Sequence, residues 1–133
     1  IKLPEAEGMA KKFITSALPY VNNQPHLGNI VGCVLGGDIY ARYCRKRGDD
    51  VMYICGTDEY GTATEMEAMK QGVAPMDIVT RNRALHVRVY EWLNLKFDKF
   101  GNTTCREHTE LTQEIFRGCY ENGYFQEHTE LTQ

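Results

Sequence analysis

No apolar run in the 133 residues approaches the roughly 20 needed to cross a bilayer. The opening stretch, 1–10, lacks a basic segment followed by an apolar one, so neither a membrane span nor a secretory leader is expected. The five cysteines, Cys33, Cys44, Cys55, Cys105 and Cys119, form no C-x-x-C pair and leave an odd count. That argues against a zinc knuckle and a disulfide framework, and it favours a reducing, cytoplasmic compartment. Each thiol is expected as a small buried apolar side chain. A basic surplus is missing too: the formal net charge is -3. The sequence therefore shows no face of the kind that displaces counterions from a nucleic-acid backbone.

What is present suits a globular domain, or a piece of one, with a core. Hydrophobic residues make up 42% and charged residues 25%, too apolar for a disordered segment. After a polar lead-in, 1–12, the run Phe13 to Leu18 favours β structure and ends at Pro19. Tyr20 to Pro25 reads as a polar loop. From Leu27, apolar residues recur at three- and four-residue intervals through Ile30, Val31, Val34, Leu35, Ile39 and Tyr43, which predicts one amphipathic helix. Arg45, Lys46 and Arg47 suit its C-terminal dipole and Gly48 a left-handed cap.

Val51 to Cys55 is a continuous apolar run, the pattern of a parallel strand covered on both faces. Strand, helix and strand make a βαβ unit with a right-handed crossover, the start of an α/β fold with a parallel sheet. A loop over 56–61 follows, then a helix over 62–71 ended by Gly72, and a second from Pro75 to about Leu93 that reads as scaffold. A last helix over 107–122, closed by Gly123, precedes a β-like Tyr124-Phe125. The heptapeptide at 107–113 recurs identically at 127–133. A repeat architecture needs more copies at its period, so the second copy reads as an artefact.

In an open parallel sheet, ligands bind beyond the carboxyl ends of the strands. Two loops lie there. The first leads to a helix start that attracts phosphate, where Gly28 permits close approach and His26 and Asn29 offer side-chain donors. The second carries Asp58, an acceptor suited to an ammonium group. Singly, each has another use: His26 and Asp58 as caps, Gly28 and Gly61 as turn glycines. Together at the mouths of adjacent strands they form a candidate site.

The runs Ile14 to Asn22 and Pro25-His26-Leu27-Gly28-Asn29 resemble the first signature of methionyl-tRNA synthetases, which are class I enzymes. That signature, usually written HIGH, opens the first helix of a Rossmann fold, so the resemblance implies the first half of a Rossmann-like, doubly wound parallel sheet. Tyr53 to Thr62 resembles the second-strand segment of the same family, and Phe97 to Phe100 and Asn122 to Phe125 occur in the expected order. The catalytic part would run over 13–126. Asn29 stands where a second histidine is usual, which resembles the eukaryotic and archaeal-type variant; Asn still donates a hydrogen bond but cannot carry positive charge.

The resemblance implies ATP-dependent activation of L-methionine, with magnesium accompanying the triphosphate, and transfer to tRNA(Met). His26, Gly28 and Asn29 would face the nucleotide, His26 and Asn29 as the catalytic donors. Asp58 and the Leu18 carbonyl would take the methionine ammonium group, with Ala17 and Tyr20 lining the side-chain pocket. The lysine-rich KMSKS signature occurs nowhere in the chain, and the resemblance puts the zinc-bearing insertion and the anticodon-binding domain beyond it. The chain alone is expected not to aminoacylate. The competing readings are a non-catalytic nucleotide-binding or interaction module that kept the fold, and another nucleotidyltransferase with the same helix start.

Overall fold

The computed structural model describes residues 9–128. They fall into two compact units that divide after Thr103. In the first, β1 (Lys11–Thr15) and β2 (Asp50–Thr57) pair in parallel, and β3 (Lys99–Asn102) adds in parallel on the far side of β2. The strand order is β1-β2-β3. This is the expected Rossmann-like α/β class, with one direction of winding within the described residues. β1 starts two residues before the expected Phe13, because Lys11 and Lys12 register against Asp50 and Val51. It ends at Thr15, but the extended path goes on to a further bridge between Tyr20 and Asp58.

The strand order explains a departure in β2. Right-handed crossovers that step the sheet in one direction put their helices on the same face. Tyr53 is accordingly buried and Met52 is 55% exposed, so β2 is not covered on both faces as its apolar run suggests. On the covered face Val34, Cys55, Tyr90 and Leu95 form a core with Phe97 and Phe100 packed against it. Three of its rings meet at 5.1 to 6.0 Å between centroids: Tyr90, Phe97 and Phe100.

The predicted single helix is three segments: α1 (Leu27–Asn29), a π-helical turn (Ile30–Leu35) and α2 (Gly36–Lys46). The wide turn finds partners outside the helix. The Tyr53 hydroxyl donates to the Val34 carbonyl at 2.9 Å, and the Ser16 hydroxyl donates to the Cys33 carbonyl at 3.3 Å. Apolar spacing cannot reveal such a turn, since its cause lies on another element. Gly48, at φ +88°, takes the left-handed conformation expected after α2. The helices α3 (Thr62–Gln71) and α4 (Pro75–Trp92) stand where the sequence puts them, with Gly72 left-handed between them.

β3 is absent from the sequence reading. Its residues, Lys99-Phe100-Gly101-Asn102, have little β preference, and pairing to β2 imposes the conformation. Close approach of the two backbones also needs Gly56, whose added Cβ would lie 2.9 Å from the Gly101 carbonyl oxygen.

The second unit contains α5 (Arg106–Glu121), which includes the first copy of the repeated heptapeptide. Tyr124 and Phe125 are not a strand. The chain turns back at Gly123, Tyr124 N–H donates to the Cys119 carbonyl at 3.1 Å, and the Phe125 ring stacks 4.8 Å from Phe116. Local helix-cap chemistry thus overrides β propensity. Of the second heptapeptide copy, 129–133 lie outside the described residues, as do 1–8 of the lead-in. Cys44 and Cys55 are buried as expected, whereas Cys33, Cys105 and Cys119 are half-buried.

Candidate active site

The carboxyl ends of β1 and β2 are joined by main chain. Asp58 N–H donates to the Pro19 carbonyl at 2.9 Å and Val21 N–H donates to the Asp58 carbonyl at 3.2 Å. These bonds fix Tyr20 beside Asp58, so the two loops singled out in the sequence meet. The Asp58 carboxylate accepts from Tyr60 N–H at 3.3 Å and stays half-buried. It thus braces a local turn and does not cap α3, the alternative use expected from sequence, since the N-cap there is Gly61. Tyr20 is 60% exposed and Leu18 44%, and Ala17 is exposed too. The Ala17 carbonyl accepts from the Cys33 thiol at 3.1 Å, tying the end of β1 to the π turn.

His26 is the N-cap of α1. Gly28 N–H donates to its Nδ1 at 3.1 Å, and His26 N–H donates to the Asn29 side-chain oxygen at 3.3 Å, a reciprocal capping box. The capping role and the donor role are compatible. An Nδ1 that accepts leaves the neutral imidazole's proton on Nε2, and an Asn29 oxygen that accepts leaves its NH2 group to donate. Both residues thereby offer donors at an exposed helix start. Gly28 is needed first by this cap: an added Cβ would lie 2.9 Å from His26 Cε1.

Beneath the site, polar groups hold the parts. Burial raises the Tyr53 phenol to about 12, so it stays a donor, and raises the Cys55 thiol to about 11, so that thiol stays neutral. Glu59, buried next to Asp58, accepts from the Thr57 hydroxyl at 2.9 Å and from the Asn102 amide at 3.0 Å, and pairs with Arg83 at 3.4 Å. Sequence reasoning missed Glu59, and it also missed Asn82 and His86, which bond the loop from α4. A signal existed for the latter pair: Asn82, His86 and Tyr90 recur every four residues on the buried stripe of a helix read as scaffold.

The family model described as tRNA synthetases class I (M) matches residues 12–132. A probable cytoplasmic methionine-tRNA ligase of Encephalitozoon cuniculi (strain GB-M1) is 63% identical over 117 residues, covering 88% of this chain and 21% of that protein. The cytoplasmic methionine-tRNA ligase of Arabidopsis thaliana is 54% identical over 128 residues, covering 96% of this chain and 16% of that protein. Mycobacterium tuberculosis methionyl-tRNA synthetase in complex with methionyl-adenylate superposes with a TM-score of 0.80 at 33% identity, over 86% of this chain and 22% of that one. The chain thus spans 16% to 22% of the length of these relatives. Carrying the helix start and the bridged strand ends in one matched segment, the chain belongs to the class I tRNA synthetase family, in its methionyl branch.

Proposed function

We propose that this chain supplies one wall of the adenylate-forming site of a cytoplasmic methionine-tRNA ligase, which joins L-methionine to ATP and passes the methionyl group to tRNA(Met). The observation that carries the reading is the main-chain bridge between Tyr20 and Asp58, which ties the amino-acid loop to the loop leading into the His26 helix start. A carboxylate acceptor and two uncharged donors then occupy the same end of the sheet, where an open α/β fold binds its ligands.

In this reading Asp58 and the Leu18 carbonyl take the methionine ammonium group, and Ala17 and Tyr20 form part of the thioether pocket. A thioether offers shape and polarisability but few hydrogen bonds, so selection rests on fit. His26 Nε2–H and the Asn29 amide donate to phosphoryl oxygens as the methionine carboxylate attacks the α-phosphorus and pyrophosphate leaves. Gly28 serves by keeping the His26 ring in its cap. Catalysis of this kind rests on positioning and on donors aimed at developing charge, without a covalent enzyme intermediate. Among the described residues no group of three or more His, Cys, Asp or Glu comes together to hold a metal ion. Magnesium would accompany the triphosphate, held through its phosphate oxygens. Zinc belongs, in this reading, to an insertion outside the chain. No helix of the described residues is long and apolar enough to cross a membrane.

Methionine-dependent ATP–pyrophosphate exchange by the full-length protein tests the proposal. His26→Ala is expected to depress exchange by about a hundredfold while methionine binding changes little. Equal loss of both would make His26 a cap alone.

A further inference from the structure

The loop between β1 and α1 has little packing to hold it on one side. Asn22, Asn23 and Gln24 border an open polar cleft of about 420 Å3 that also touches Glu67, Gln71 and Arg81. The loop is tied to α4, whose Arg81, Asn82 and Leu85 also line this cleft. The Asn82 amide donates to the Val21 carbonyl at 2.8 Å, and His86 Nε2 lies 3.1 Å from the Asn23 carbonyl oxygen. A carbonyl only accepts, so Nε2 carries the proton and Nδ1 takes the Tyr90 hydroxyl's hydrogen at 3.1 Å. Val21 and His86 are wholly buried and Asn82 is 4% exposed, so the Asn82–Val21 bond is closed to solvent, while the bond from His86 reaches out to the exposed Asn23. Val21 is in fact held at both ends, its N–H by Asp58 and its carbonyl by Asn82.

We infer that Asn82 and His86 are positioning residues for adenylate formation: a two-point latch on α4 that sets where the loop delivers His26 relative to Tyr20 and Asp58. The latch rests on the function proposed above. Asn23 stands three residues before His26, with Pro25 restricting the backbone between them, so a shift at Asn23 is passed on to the helix start. A displacement of about 1 Å at a reacting group can cost a hundredfold in rate. The latch acts on the donor to the phosphoryl group more than on Asp58, because Asp58 is fixed by its own bonds to Pro19 and Val21.

The two nitrogens of His86 can be tested apart. His86→Gln places an amide donor where Nε2 reaches Asn23. His86→Asn keeps a polar partner for Tyr90 and releases Asn23. In the full-length protein, His86→Asn is expected to lower kcat of methionine-dependent ATP–pyrophosphate exchange at least about tenfold, with the methionine KM within about threefold. His86→Gln is expected to restore most of that loss. Amide hydrogen exchange should quicken at His26, whose N–H bonds the Asn29 side chain, in His86→Asn while the β2 amides stay protected. Asn82→Ala, which cuts the Val21 bond alone, should behave like His86→Asn and decides the matter if that variant does not fold. Full kcat in both releasing variants would overturn the latch and leave the proposed function standing. So would an equal loss of kcat and methionine affinity, which marks a general structural role. Absence of exchange in the unsubstituted protein would overturn the proposed function and the latch with it.

Discussion

Gly36 and Gly37 are consecutive in α2, and substitution by alanine should move stability in opposite directions. Both are helical, so alanine at either restricts the unfolded chain and favours the fold by roughly 0.5–1 kcal/mol. At Gly36 an added Cβ meets nothing within 4 Å, and that gain should appear undiminished. At Gly37 the same Cβ would lie 2.6 Å from the Tyr53 hydroxyl oxygen and 2.7 Å from Ser16 Oγ. Neither can give way freely. Tyr53 is fully buried, its hydroxyl bonds the Val34 carbonyl at 2.9 Å, and it lies 2.8 Å from the Ser16 hydroxyl. Overpacking of this kind costs about 1–3 kcal/mol, and a stranded buried hydroxyl or carbonyl adds about 1–3 kcal/mol. Net of the backbone gain, Gly37→Ala should destabilise by about 2 kcal/mol or more. Native-state hydrogen exchange at the Ala41 and Cys44 amides reads the difference site by site, without assuming that the whole protein unfolds in one step. Equal protection in the two variants, or greater protection in Gly37→Ala, would refute the packing argument.

Three further outcomes are expected. Tyr53→Phe leaves the Val34 carbonyl and the Ser16 hydroxyl without their shared partner and should cost about 1–3 kcal/mol, read as lost protection across the π turn. Burial holds His86 below its usual range against the opposing pull of the Asn23 carbonyl, so the unfolded chain binds a proton that the folded chain refuses. Stability should therefore fall as pH drops through about 6.5 and level off at the lower folded value, a slope that His86→Gln removes; urea midpoints from about pH 5 to about pH 7.5 decide. Gly28→Ala should push the His26 ring out of its cap and lower pyrophosphate exchange far more than methionine affinity, measured on the full-length protein. Unchanged exchange would show that the ring's place in the cap is immaterial.

The parts of the fold that were legible in the sequence are those governed by local chemistry. Gly48 and Gly72 ended helices because a left-handed residue is needed there, and Pro75 opened α4 because a first-turn proline loses no bond. The meeting of the 17–29 loop with the loop that carries Asp58 was legible from topology, since adjacent parallel strands place their carboxyl ends together. What escaped is decided by partners distant in sequence. β3 is strand because β2 pairs with it, and the π turn has its bonds on Ser16 and Tyr53. The exposure of Met52 follows from the direction of winding, which no window of residues contains. In the site, residue types gave the donors and the acceptor, whereas the tautomer of His26 and the ties from α4 needed coordinates.

The helix start is held by hydrogen bonds from three directions and by little packing, since His26, Leu27 and Gly28 are all exposed. Behind it the π turn is bonded to Ser16 and Tyr53, before it the loop is bonded to Asn82 and His86, and within it Gly28 and Asn29 close the cap. Hydrogen bonds fix direction more sharply than apolar contact does, and each contributes only about 1 kcal/mol to stability. The core formed by Val34, Cys55, Tyr90 and Leu95 contributes in the opposite proportion, stabilising strongly while tolerating small shifts of its side chains. The two groups of residues should thus separate experimentally. Trimming the core lowers stability with little change in rate, whereas cutting a polar tie lowers the rate of the chemical step by more than its cost of about 1–3 kcal/mol in stability explains. A π turn next to the site fits this division, because its Cys33 and Val34 carbonyls accept the Ser16 and Tyr53 hydroxyls that tie it to the sheet side.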